Sequence, residues 1–127
     1  MPYALSTFQL PCGRPCGQVI WSGVTTKEEA AAVVQNLGPG GKIEGLSLLV
    51  LSQNMESMTA EARRLFGDAP DVGWVAIVVS SPLIRVTTNF ILRMSKSSKR
   101  QMFSSEQEAI RWLDERVRED AAKAKPS

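Results

Sequence analysis

Two thiols, thirteen carboxylates and a scatter of hydroxyls are the reactive groups of this chain, and it contains no histidine at all. Without histidine there is no imidazole base at neutral pH, no His-dependent triad and none of the usual catalytic zinc ligand sets. Cys12 and Cys16 are spaced C-x-x-x-C around Gly13-Arg14-Pro15. Two thiols cannot close a tetrahedral zinc site. The expectation is a pair of free cysteines in a turn, with a redox or intermolecular bond as the alternative. No metal and no cofactor is expected.

The carboxylates have structural work to do. Thr25 with Glu28, or Thr26 with Glu29, has the spacing of a capping box that opens a helix. Glu106 and Glu108 fall in the first turn of a last helix, where the helix dipole favours anions. Asp68 and Asp71 flank Ala69-Pro70, a turn sequence. Asp114, Glu115, Glu119 and Asp120 interleave with Arg111, Arg116 and Arg118, as on a solvated helix face. Gly38-Pro39-Gly40-Gly41-Lys42 follows a helix and precedes a strand, the reverse of a phosphate-binding loop, and lacks Gly-Lys-Ser/Thr. No base is paired with a nucleophile, so the chain is expected not to be an enzyme.

Three features remain for binding. Ser52, Ser57 and Thr59 follow an apolar strand and precede a helix, the place where parallel α/β sheets take ligands. A phosphate on one of these hydroxyls would alter docking of a partner, although Thr59 also suits a plain N-cap. Met55, Met58, Phe90, Met94, Met102 and Phe103 supply soft apolar surface for a partner or an apolar ligand, or fill the core. Lys96, Lys99 and Arg100, with Arg93 before them, form the most basic run, which reads equally as a solvated loop. The expected functional surface is therefore the segment from Ser52 to Thr59 and a facing loop from Lys96 to Arg100.

The elements that must position these groups follow from periodicity and punctuation. Residues 3–10 suit a first strand, residues 11–17 a turn, and residues 18–23 a second strand of a hairpin. Ala30, Val33, Val34 and Leu37 recur at helical spacing, and Gly38 is placed for a left-handed cap before Pro39. Residues 46–51 are a dense apolar strand. Residues 59–66 form a short helix capped by Thr59 and ended at Gly67. Residues 72–80 are apolar at nearly every position, as in a central strand covered on both faces. Ser81-Pro82 opens a helix, with proline where its missing N–H costs nothing. Residues 101–103 are a last strand, and Ser104 or Ser105 caps a final helix. The order β-β-α-β-α-β-α-β-α predicts one α/β domain over residues 1–118: a single mixed, mainly parallel sheet packed with helices. Residues 119–127 read as a polar C-terminal tail.

The 127 residues carry 15 basic and 13 acidic side chains, a balance that gives no argument for nucleic acid. No segment reaches the roughly 18 apolar residues of a membrane span. No basic region followed by an apolar run marks a signal peptide, which makes the cytoplasm the expected location. An open sheet has edges, so self-association into a homodimer is an expectation as well.

The second half resembles a known family. Val75-Ala76-Ile77-Val78-Val79-Ser80-Ser81-Pro82 running into a helix, then Met102-Phe103-Ser104-Ser105-Glu106-Gln107-Glu108-Ala109-Ile110-Arg111-Trp112-Leu113, is similar to the SpoIIAA-like branch of the STAS domains. These are the bacterial anti-sigma-factor-antagonist relatives, which share a fold outline with the CRAL-TRIO lipid carriers. Leu46 to Leu51 and Met58-Thr59-Ala60-Glu61-Ala62 are similar to the branch's middle strand and helix. The resemblance covers residues 18 to 118. It implies a non-enzymatic bacterial regulatory or protein-interaction module, with a small apolar-ligand or lipid binder as the alternative. The antagonists take phosphate on Asp-Ser/Thr-Gly; here the segment reads Asn54-Met55-Glu56-Ser57-Met58-Thr59-Ala60, which lacks that motif and leaves Ser57 and Thr59 as the nearest hydroxyls.

Overall fold

The computed structural model describes residues 3–69, 73–79, 81–94 and 99–124, without the side chains of Gln53, Asn54, Met94 and Ala124. Its elements are β1 (Tyr3–Gln9), β2 (Pro15–Thr25), α1 (Lys27–Leu37), β3 (Leu48–Met58), α2 (Ala60–Asp68), β4 (Val75–Val78), α3 (Pro82–Met94), β5 (Arg100–Phe103) and α4 (Glu106–Ala124). The predicted order of strands and helices holds throughout.

The five strands lie in sequence order, β1-β2-β3-β4-β5. β1 and β2 form the antiparallel hairpin. The pairs β2–β3, β3–β4 and β4–β5 are parallel. Each parallel step moves the same way across the sheet, and right-handed crossovers then put α1, α2 and α3 on one face. α4 follows the last strand and crosses nothing, so it covers the other face, against β3, β4 and β5.

The period of two along each strand sorts the apolar residues between two cores. Leu49, Leu51, Ala76 and Val78 face α4 with Ala109 and Leu113. Leu48, Val19 and Trp21 face the three-helix layer with Val33 and Ile84. Burial on both faces is why residues 48–51 and 75–78 are apolar at nearly every position. β3 is the central strand, however, and β4 stands one place from the edge. Val72 and Ser80, the expected ends of that strand, lie outside the described residues.

Three local expectations are corrected. β2 begins at Pro15, so Cys16 belongs to a strand and not to the turn. Gly38 closes α1 with φ −86° rather than in the left-handed region, and it is Gly40 that turns the chain with φ +81°. In place of the capping box of α1 stands a side-chain pair: the Thr26 hydroxyl donates to Glu29 Oε1 at 2.8 Å, and no backbone N–H reaches the Thr26 side chain. The caps at Thr59 and Ser105 form as read, with Ala62 N–H on Thr59 Oγ1 at 3.2 Å and Glu108 N–H on Ser105 Oγ at 3.4 Å. α4 runs beyond residue 118 to Ala124, and Asp120 accepts the Trp74 indole N–H at 2.6 Å.

Candidate functional site

β3 is the element that rearranges the expected site. It continues from Leu48 to Met58, because the bulged second half of β2 pairs with it as far as Thr25↔Met58. Ser52, Met55 and Ser57 therefore sit on a strand and not in a loop. Ser52 and Met55 are buried, whereas Ser57 is exposed. Thr59 is the N-cap of α2, its oxygen engaged by Ala62.

Met55 and Met58 line a cavity of about 100 Å³ between the sheet and α1, α2 and α3. Trp21, Val33, Leu37 and Phe66 form much of its wall, and Ser52, Thr88 and Arg100 are its polar groups. Ser57, Thr59 and Lys99 do not border it. Arg100 does so because its long side chain crosses beneath α2. Its Nη1 donates to the Phe66 carbonyl at 2.6 Å and its Nη2 to the Ala69 carbonyl at 2.7 Å. These bonds close the C-terminal end of α2, where helix carbonyls lack partners.

Of residues 96–100 only Lys99 and Arg100 are described, and Arg100 does not face residues 52–59 on the backbone. Arg100 pairs with Val75, and Val75 with Leu48. Arg100 thus starts its strand level with the beginning of β3, while Ser57 and Thr59 lie at the other end. Lys99 stands 5.4 Å over the Trp74 ring. Lys96 lies outside the described residues. The expected cluster of methionine and phenylalanine is also divided. Met55, Met58 and Met102 belong to the three-helix side, but Phe103 packs on the α4 side. Phe90 points to solvent, 55% exposed.

Phe90 leads to the feature that sequence reasoning missed. On α3, Ile84 and Ile91 are buried, while Leu83, Val86 and Phe90 are 63%, 68% and 55% exposed. Their spacing places all three on one stripe. The signal was present in the sequence: Leu83, Ile84, Val86, Phe90, Ile91 and Leu92 are too many apolar residues for one core-facing face. The only charged residues of α3 are Arg85 and Arg93.

The cysteines are free, Cys12 exposed and Cys16 buried. Burial pushes the Cys16 thiol up to about 12, against the opposing pull of the Leu49 backbone. A thiol held protonated in this way is a core side chain and no nucleophile. Among the described residues no group of three or more potential ligands could hold a metal ion. Among them, too, no helix is long and apolar enough to cross a membrane.

This layered sheet, with three crossover helices on one face and a C-terminal helix on the other, is a SpoIIAA-like fold. The chain superimposes on the crystal structure of an uncharacterised protein of the DUF3478 family with a SpoIIAA-like fold, from Shewanella loihica PV-4. The TM-score is 0.61 at 15% identity, over 87% of this chain and 93% of that one. The chain belongs to the family described as Domain of unknown function (DUF7793), whose profile matches residues 24–117. Comparison with curated proteins gives no match.

Proposed function

We propose that this chain is a non-catalytic interaction module of STAS type that docks a protein partner on the outer face of α3. The observation that carries the reading is the stripe of Leu83, Val86 and Phe90, each more than half exposed. Large apolar side chains gathered on one exposed helix face mark interaction surfaces. The partner's chemistry follows from the rim. Arg93, exposed three residues on from Phe90, borders the stripe, and α3 carries no acidic residue, so the complement is an apolar groove with a carboxylate at its edge. Ser57 is the hydroxyl best placed for a regulatory phosphate: it is exposed at the end of β3, whereas Thr59 is engaged as a cap.

The test is photo-crosslinking of the full chain with a reactive residue at Leu83, compared with the same chain carrying Val86→Ser and Phe90→Ser. A discrete protein adduct that the double variant loses, with its melting temperature unchanged, is expected. Equal adducts in both chains would overturn the reading. So would co-flotation of the wild type, but not the variant, with anionic vesicles, which would assign α3 to a lipid surface.

The cavity favours a second reading, a small apolar-ligand binder. Its walls are chiefly aliphatic and aromatic, and its roughly 100 Å³ is somewhat smaller than the engineered cavity of about 150 Å³ that admits benzene. A larger ligand would require α3 to move outward. Native mass spectrometry of the purified chain decides this: a bound small molecule supports it, and a ligand-free spectrum counts against it.

A further inference from the structure

The two edges of the sheet are built differently. β5 has four residues, opens on Arg100 and follows Lys99. Shortness and positive charge are the usual guards against edge-to-edge pairing. β1 has seven residues, Tyr-Ala-Leu-Ser-Thr-Phe-Gln, with no charge and no proline. Among the described residues it pairs only with β2. Its outer side is a row of unused ladder groups without a guard.

The register shows which groups these are. Leu10 N–H donates to the Arg14 carbonyl at 2.9 Å, directed toward β2. An antiparallel ladder alternates, so Phe8, Ser6 and Ala4 direct their groups to Cys16, Gln18 and Ile20. Tyr3, Leu5, Thr7 and Gln9 therefore direct theirs outward. The neighbouring sheet face is open too. α4 covers β3, β4 and β5, which leaves Ala4 and Ser6 exposed and Ile20 38% exposed.

We infer that β1 is a dimerisation strand, and that two copies of this chain pair β1 to β1, antiparallel, about a two-fold axis at Ser6. A strand without charge meets itself with no repulsion, as an isologous contact requires. With the axis at Ser6 every outward group finds a partner. Leu5 pairs with Thr7 of the partner subunit, and Tyr3 with Gln9 of the partner subunit. Ser6 then faces Ser6 of the partner subunit at a non-hydrogen-bonded position, where antiparallel α-carbons come closest, about 4.5 Å apart. The two sheets become one continuous sheet with β5 at both ends, so only guarded edges remain.

Sedimentation velocity of the full chain over a concentration series tests this, with two variants. Thr7→Pro removes an outward N–H and leaves the bonds to β2 intact. Ser6→Lys sets two cations across the axis. A wild-type dimer is expected, weakened at least about tenfold in each variant, since like charges directly opposed and lost ladder bonds both disfavour pairing. In a Cys12→Ser background, Ser6→Cys is expected to oxidise to a symmetric disulfide, the α-carbon spacing lying within disulfide range, and Gln9→Cys is not. A wild type that stays monomeric at concentrations on the order of 100 μM overturns the proposal. So does a dimer that neither variant weakens, or a Ser6→Cys chain that gives no disulfide dimer.

Discussion

The carboxylate of Asp114 accepts the backbone N–H of Cys12 at 2.9 Å, across 102 residues of chain. This bond ties the β1–β2 turn to α4. Its other oxygen meets Arg118 Nε at 3.1 Å. Burial pushes the Asp114 carboxyl up, but the Cys12 thiol and N–H and the Arg118 guanidinium outweigh it and hold the carboxyl below its ordinary value.

A depressed carboxylate stabilises the fold above its unfolded pKa, and that contribution is lost as pH falls through the folded value. The melting temperature of the wild type should therefore decline below about pH 4, the ordinary range of an aspartate. Asp114→Asn should melt lower at neutral pH and decline less steeply in acid. Thermal unfolding from pH 2 to 7 checks this, and parallel curves for the two proteins would contradict it.

Gly38 and Gly41 should respond in opposite ways to alanine. Gly38 has φ −86° and its nearest neighbour to a new Cβ would be 3.6 Å away. Gly38→Ala should be neutral or gain up to about 1 kcal/mol by restricting the unfolded chain. At Gly41 a Cβ would lie 2.1 Å from the Asn36 carbonyl oxygen, which is backbone and cannot swing away. Gly41→Ala should cost on the order of 2–4 kcal/mol in urea unfolding.

The two thiols should be separable by labelling. Cys12 is exposed and should react with a disulfide reagent in the folded chain. With its thiol pushed up to about 12, Cys16 at pH 8 has roughly one thiolate in ten thousand and is closed off from reagent. One thiol per chain should titrate in buffer and two in denaturant.

Arg100→Ala removes both donors from the carbonyls of Phe66 and Ala69. Bonds from a charged donor contribute about 1.5–3 kcal/mol each, and shared losses are not additive. A destabilisation of about 2–3 kcal/mol is expected, with hydrogen exchange rising first at the C-terminal end of α2. Uniform exchange across the fold would show that Arg100 does not hold α2 locally.

Thr59→Ala should cost about 1 kcal/mol, the usual loss of an N-cap. Ser57→Ala, on an exposed strand position, should fall within about 0.5 kcal/mol. If Ser57 carries a regulatory phosphate, Ser57→Ala should nevertheless abolish phosphorylation in cells, a readout that stability does not move.

How far the sequence reaches depends on the range of the force involved. Thr59 with Ala62, Ser105 with Glu108 and Pro82 behind Ser81 were legible because a cap closes within three or four residues. The apolar runs at 48–51 and 75–78 were legible because two-sided burial needs apolar residues at every position. Residues 52–58 carry no such pattern. They are strand because β2, more than thirty positions earlier in the chain, supplies their ladder. That pairing placed Ser57 on a strand and carried Met55 and Met58 to the wall of the cavity.

By itself, then, the sequence determined the kind and order of the elements and the absence of histidine chemistry, since these rest on composition and local hydrogen bonding, while the SpoIIAA-like outline was implied by a family resemblance. Tertiary structure alone decided which apolar residues are covered. Leu83, Val86 and Phe90 differ in no local way from Ile84 and Ile91, yet one set faces the sheet and the other faces water. It likewise decided that Arg100 serves α2 and not a loop surface, and that β1 ends the sheet without a guard. Each of these outcomes depends on what lies across a packing interface, and a chain's order does not record what its side chains will meet in space.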